Sequence, residues 1–370
     1  MTDLELHVRG ARELEAAMGN VRALTAFVGL DGFVDEILHV VDKRESSENF
    51  SRLPTIAKLA ERLAAAAGQS TNIELVSVRT KLGGNGPIMA NALASFGLGV
   101  TYLGNLGYPG MHPIFEELAR RAEVHSIAQP GFTDALEFND GKIMLGKNHT
   151  LKDVNWENIE ARFGRGRFLT HFGSASLVSF VNWTMLPHMS AIWEKVLTLC
   201  PQLTGGRRKL FFDLCDPEKR SATDIRQALE LIAKFEQWFD VMLGLNEKEA
   251  VEIGHVLGLE TGDRSPQGLT KLALEINRRV PVGTIVVHPT AYALAVSRGE
   301  VSLVDGPFVA RPLITTGAGD HFNSGFCLGK LLGFDNTLSL LYGVSTSGFY
   351  VRTAKSPGLT ELAEFITNWK

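Results

Sequence analysis

Short apolar runs alternate with amphipathic helical patterns along almost the whole chain, and this alternation restricts the accessible folds more than any other feature. Residues 24–30 (LTAFVGL), 73–78 (IELVSV), 99–104 (GVTYLG), 167–172 (RFLTHF), 209–214 (KLFFDL), 240–245 (DVMLGL) and 284–288 (TIVVH) have strand length and read as buried strands. Between them lie TIAKLAERLAAAA, PIMANALASFG, HPIFEELARRA, SATDIRQALELIAKF and EKEAVEIGHVLG, with the apolar spacing of helices. Strands separated by helices pair in parallel, and the helices then cover both faces of the sheet. The expected fold class is therefore α/β, with a mostly parallel central sheet and ligands bound at the carboxyl ends of its strands.

Residues 134–146 (DALEFNDGKIMLG) break the rhythm and read as strand, Asn-Asp-Gly turn, strand. Paired with the segment from Ile37 to Lys43, such a hairpin would make a small sheet able to close over a substrate and exclude water. The expected organisation is one α/β domain over residues 1–370, with lid strands inserted at about 36–44 and 124–147. A net charge of −4 gives no electrostatic reason to expect nucleic acid or an anionic membrane as partner. No stretch approaches the roughly 18 uninterrupted apolar residues of a membrane span. Cys200, Cys215 and Cys327 lack metal-site spacing and read as reduced thiols of a cytoplasmic protein. His171, His188, His255 and His288 are scattered among unlike elements and read as structural.

The run TTGAGDHFNSGF (315–326) carries the most chemistry. A glycine-rich turn opening a helix leaves N–H groups unpaired at the positive end of the helix dipole, which suits a phosphate. Asp320 beside that anion site runs against the electrostatic preference, as a base deprotonating an attacking hydroxyl would. An ordinary strand-to-helix turn with Asp near the helix start is the alternative. In KLGGNGPIMANALASFG (81–97), Gly83 and Gly84 would let a ligand approach the main chain, and Asn85 offers a donor and an acceptor to a sugar hydroxyl. A tight turn needing positive φ explains the same glycines. Asp31 and Asp35 follow the first strand and can accept bonds from vicinal hydroxyls, or lie in a solvated loop. Asn246 and Glu249 have the spacing of a capping box, and equally of side chains that orient magnesium-bound water about a nucleotide's phosphates. Neither GxxxxGK[ST] nor an opening GxGxxG occurs, which counts against P-loop and dinucleotide-binding folds.

In this order and spacing the motifs resemble those of the ribokinase-like (PfkB) carbohydrate kinases over nearly the whole chain. The resemblance implies a Rossmann-type sandwich with a β lid, a cytoplasmic sugar kinase, Mg2+, and a nucleotide donor, ATP in preference to ADP. It puts Asp320 on the catalytic base and the amides of Gly317, Ala318 and Gly319 on the anion hole. Thr316 and Asn246 fall on the nucleotide side, Asn246 and Glu249 on the magnesium motif, and Asp31, Asp35, Gly83, Gly84 and Asn85 on the sugar site. It also implies pairing of two subunits through the lid. Three features depart from the usual pattern: Ile314 replaces the Asp before TTGAGD, Ile88 replaces an Asn, and HPTAYALAV (288–296) stands where many relatives have a TxGxxG-like turn. The last two, with GGNGPIMAN and GLNEKE, are similar to the ADP-dependent sugar kinases. A nucleoside kinase with Phe33 or Phe138 as the base platform, and a non-catalytic sugar or nucleotide sensor, are the rival readings.

Overall fold

Alternate side chains of the apolar runs point to opposite faces of one large sheet, and each face has its own core. In the computed structural model, which describes residues 3–369, the strands are β1 Thr25–Leu30, β2 Phe33–Arg44, β3 Phe50–Arg52, β4 Leu75–Gly83, β5 Gly99–Gly104, β6 Glu123–Ser126, β7 Gly131–Glu137, β8 Lys142–Lys147, β9 Leu177–Val181, β10 Arg208–Asp213, β11 Phe239–Leu245, β12 Thr284–Val287, β13 Tyr292–Ser297 and β14 Glu300–Asp305. The nine-stranded sheet runs β14-β13-β12-β11-β10-β9-β1-β5-β6. Its pairings are parallel except for the β12–β13 and β13–β14 hairpins at one edge. Phe27, Phe180, Phe212 and Leu243 pack against helices Arg165–Ser174, Met189–Leu199, Ala222–Phe235 and their neighbours. Val28, Val181, Phe211 and Met242 face helices Asp3–Val21, Asn85–Ser95, Ala318–Leu331 and Asn336–Thr353. The α/β class, the mostly parallel sheet and its two helical layers are as the periodicity requires.

A second, five-stranded sheet has β2 at its centre, with β7 then β8 on one side and β3 and β4 on the other. The expected hairpin is present as β7 and β8, and β2 pairs with β7 in parallel. Three expectations shift. Residues 73–78 were read as a buried strand of the central sheet, but β4 belongs to the second sheet and is largely exposed. Residues 123–126, grouped by sequence with the lid, form β6 at the edge of the large sheet. The run 167–172 lies in helix Arg165–Ser174 and not in a strand. Phe168 and Phe172 are one helical turn apart and both buried, and the real strand is the following LVSFV.

The segment 44–72 has a structural task. Helix Ile56–Ala65 covers one face of the second sheet, where Leu38, Val40, Leu53, Leu59, Leu136 and Phe138 form a separate small core. Arg62 donates to the Val41 carbonyl at 2.9 Å, and Asp140 accepts from the Ile56 amide at 2.9 Å.

The two sheets meet where β1 turns into β2 through Asp31 and Gly32. A Cβ on Gly86, opposite this turn, would lie 2.4 Å from the Tyr102 hydroxyl and 2.6 Å from Asp31 Oδ1. Gly86→Ala should therefore cost about 1–3 kcal/mol of stability by overpacking. At Gly19, in a helix with nothing within 4 Å, alanine should stabilise by about 0.5–1 kcal/mol. Urea midpoints of the two variants test the contrast.

Candidate active site

Six neighbouring parallel strands end on a polar side chain at the same edge of the large sheet: His288 after β12, Asn246 after β11, Asp213 closing β10, Asn182 after β9, Asp31 after β1 and Asn105 after β5. Helices Asn85–Ser95, Glu247–Val256 and Ala318–Leu331 begin at that edge and direct their free N–H groups toward it.

Asp31 is fully buried and accepts from the Asn85 amide at 2.9 Å, the Gly86 amide at 2.8 Å and Asn182 Nδ2 at 2.7 Å. Burial pushes its carboxyl up to about 6, against those hydrogen bonds. Both oxygens are thus engaged by the protein. Asp31 holds the start of helix Asn85–Ser95. Gly84 precedes that helix at φ +97°, and a Cβ there would meet Asp31 Oδ2 at 2.9 Å. A Cβ on Gly83 would meet Asp35 Oδ2 at 2.5 Å. Asp35, on β2, is buried opposite Lys81 and Thr133 of the flanking strands, with Lys81 Nζ at 3.9 Å. Burial raises its carboxyl and the Lys81 charge lowers it.

The start so fixed presents Asn85 to Asp320, whose Oδ1 accepts from Asn85 Nδ2 at 3.0 Å. Asp320 is 5% exposed. Burial pushes its carboxyl up to about 8; the Asn85 bond opposes this, and the charges of Asp31 and Glu249 add to it. Gly317, at φ +92°, is the N-cap of helix Ala318–Leu331. The Ala318 amide donates to the Thr315 carbonyl at 3.1 Å, so one of the three amides expected to hold an anion is engaged inside the turn. The Gly319 amide sits at the second helical position, where no carbonyl lies behind it.

The Asn246–Glu249 pair is a capping box. Asn246 Oδ1 accepts from the Glu249 amide and Glu249 Oε2 from the Asn246 amide, both at 2.9 Å. Glu249 Oε1 accepts from the Asp216 amide at 2.9 Å. Burial raises the Glu249 carboxyl, and these amides oppose it. Asn246 Oδ1 and both Glu249 oxygens are thus each engaged by a main-chain amide. Among the described residues no group of three or more His, Cys, Asp and Glu side chains could hold a metal.

Three residues at this edge escaped sequence reasoning. Asp213 Oδ2 accepts from Asn323 Nδ2 at 2.8 Å, and its Oδ1 from the Cys215 amide at 2.9 Å. Burial, then the charges of Glu249 and Asp320, hold the Asp213 carboxyl well above its usual range. Asp213 ends an apolar run just as Asp31 does, and Asn323 lies one helical turn after Asp320; those were the available signals. Asn182 was hidden because its strand was placed too early.

Beside the Gly317 turn opens a cleft of about 290 Å³, lined by His288, Thr290, Phe308, Thr315, Gly319 and Val344 among others. Phe33 and Phe138 are buried in separate cores, so neither offers a platform for a purine. No helix among the described residues is long and apolar enough to cross a membrane.

The fold is that of the ribokinase-like kinases. Ribokinase from Arabidopsis thaliana, solved with ribose and ATP, has a TM-score of 0.62 at 15% identity, over 93% of this chain and 98% of its own. Phosphofructokinase-2 from Escherichia coli has a TM-score of 0.63 at 14% identity, over 94% and 99% of the two chains. The family model described as prokaryotic ketohexokinase matches residues 3–369, and the chain belongs to that family. Ketohexokinase of Haloferax volcanii is 28% identical over 344 residues, spanning 92% of this chain and 90% of the relative.

The capping geometry carries a prediction. Glu249→Gln replaces one accepting oxygen with an amide nitrogen and leaves a buried N–H without a partner, at a cost of about 1–3 kcal/mol. The urea midpoint should fall while the magnesium titration of activity stays in place. Unchanged stability with a shifted magnesium titration would point to a metal role.

Proposed function

We propose that this sugar kinase transfers the terminal phosphoryl group of ATP to a hydroxyl of a ketohexose, with Asp320 as general base. One observation carries the assignment. Of the four buried carboxylates at the strand edge, Asp31, Asp213 and Glu249 each accept from two or more other residues. Among the described residues, Asp320 accepts from only one other, Asn85. Its second oxygen is left for a substrate hydroxyl. A raised carboxyl is also a stronger proton acceptor once ionised, which suits general-base work near neutral pH. The acceptor class is suggested by the name of the Haloferax relative.

In this reading the sugar lies between the sheets, against Asp35, Gly83, Gly84 and Asn85, and the second sheet closes over it as a lid. The donor lies along the 290 Å³ cleft with its terminal phosphate at the Gly317 turn. The hydroxyl proton passes to Asp320 as oxygen bonds to phosphorus, and the bond from phosphorus to the ADP oxygen breaks. The amides of Gly317 and Gly319 and the positive end of the helix stabilise charge on the phosphoryl group in transfer. Thr316 belongs to the same turn. Asn246 and Glu249 shape the nucleotide side by capping their helix. Magnesium is assigned to the nucleotide's own phosphates, where it would offset their charge. Asp31 positions Asn85 and does not touch the sugar. Leu75 and Val78 on β4, with Met144 and Leu145 on β8, are exposed apolar residues of the second sheet and suit pairing with a second copy. Three unpaired cysteines agree with a cytoplasmic setting.

Assays with ketohexoses, aldohexoses and nucleosides, each with ATP and with ADP, should give phosphorylation of a ketohexose from ATP. Transfer from ADP alone, or to nucleosides alone, would overturn the donor or the acceptor. Asp320→Asn should lose at least roughly 10²–10⁴-fold in kcat, the range of a positioned base, with nucleotide affinity retained in calorimetry. In the free enzyme kcat/KM should fall as pH drops through about 8, because protonated Asp320 cannot accept the proton. Removing the Asn85 bond favours the protonated form, so Asn85→Ala should move that limb to higher pH. A pH profile flat between 6 and 9 would be incompatible with this base.

A further inference from the structure

The Gly317 turn is held from behind by two aromatic side chains. The Tyr350 hydroxyl donates to the Thr316 carbonyl at 2.9 Å. His321 Nδ1 lies 2.7 Å from the Gly317 carbonyl, and the two rings stack with centroids 3.6 Å apart and planes 13° off parallel. In a trans peptide the carbonyl and the following N–H point in opposite directions within one plane. A donor that fixes the Thr316 carbonyl therefore aims the Gly317 amide away from Tyr350, and one that fixes the Gly317 carbonyl holds the peptide plane from which helix Ala318–Leu331 starts, and with it the Gly319 amide at the second helical position.

We propose that His321 and Tyr350 are positioning residues for phosphoryl transfer, holding the carbonyls of Gly317 and Thr316 so that the amides of the turn keep their aim. The inference rests on the reading of this turn as the anion hole.

The hydrogen bonds behind His321 have one permitted direction. A carbonyl only accepts, so Nδ1 carries the proton. Burial pushes the imidazole down to about 4, so the ring is neutral near pH 7 and Nε2 is an acceptor. Ser356 Oγ, 2.8 Å from Nε2, must then donate to it. Ser356 accepts in turn from Asn91 Nδ2 at 3.3 Å, and Asn91 Oδ1 from Arg121 at 3.2 Å. The chain Arg121–Asn91–Ser356–His321–Gly317 thus runs from donor to acceptor without a conflict, and fixes the tautomer the turn needs. It ties helix Asn85–Ser95, which presents Asn85, to the turn before Asp320. His321 and Tyr350 also line a cavity of about 670 Å³ distinct from the 290 Å³ cleft, and water in it would compete for both carbonyls if these donors were lost.

The test separates donation from packing. His321→Phe keeps a ring against Tyr350 and removes both hydrogen bonds. His321→Asn puts an amide donor near the place of Nδ1. Losing one anion-hole donor outright costs about 10²–10³-fold in kcat; a donor that is only mis-aimed should cost roughly 10–100-fold. His321→Phe should show that loss in kcat with both KM values within about threefold of wild type, and His321→Asn should recover most of it. Tyr350→Phe and Ser356→Ala should lower kcat in the same way by smaller factors, and they serve if His321→Phe fails to fold. Wild-type kcat in His321→Phe or in Tyr350→Phe, or an Asn variant as slow as the Phe variant, would overturn the proposal. Asp320→Asn is measured alongside. If it remains active the underlying reading fails, whereas an inactive Asp320→Asn with a fast His321→Phe sinks this inference alone.

Discussion

The bond set around Asp31 organises the rest of the site. One carboxylate, buried without a cationic partner, gathers the start of helix Asn85–Ser95 and the end of β9 against the turn from β1 into β2. Burying a charge of this kind is costly unless its oxygens are satisfied, and here three donors satisfy them. Removing Asp31 would therefore release Asn85, and with it the hydrogen bond that favours the ionised form of Asp320. Gly84 and Gly86 belong to the same constraint, since side chains there would collide with Asp31 and Tyr102.

Asp213, Glu249 and Asp320 share the same sheet edge, and neighbouring carboxylates raise each beyond what burial does alone: Glu249 and Asp320 act on Asp213, Asp31 and Glu249 on Asp320, and Asp216 and Glu252 on Glu249. Their environments nevertheless divide them. Asp213 and Glu249 are each fixed by donors from two other residues, while Asp320 keeps an oxygen that no neighbour fills. In the reading proposed above, a row of chemically similar groups thereby yields one reactive member, and helix starts and strand ends set the division.

Sequence patterning read the large sheet well where apolar runs were continuous and caps were local. It failed at 167–172, where apolar residues at helical spacing were taken for a strand because RFLTHF is short and aromatic-rich. It also failed for β4, whose composition announces a strand but says nothing about which sheet accepts it. The site divides along the same line. Asp320, the glycines beside it, Gly84, Asn85 and the Asn246–Glu249 cap are close neighbours within short motifs. Asp213 with Asn323, and Asp31 with Asn182, meet across 110 and 151 residues, a proximity that only the assembled sheet creates. The engagement of Asp31 and Glu249 by main-chain amides escaped the sequence for a related reason. Residue type suggested ligands, but the main-chain amides that claim their oxygens become visible only once strand ends and helix starts converge.

The small core under helix Ile56–Ala65 bears on the crevice between the sheets. Because Leu38, Val40, Leu59 and Phe138 find their apolar company under helix Ile56–Ala65, the five-stranded layer has a core of its own, beside the contacts that Phe33, Val34, Leu82 and Phe132 make with the larger body. Its inner surface is free to be hydrophilic, with Asp35 and Lys81 directed into the gap. In the proposed reading, a polyol bound there would exchange one hydrated surrounding for another.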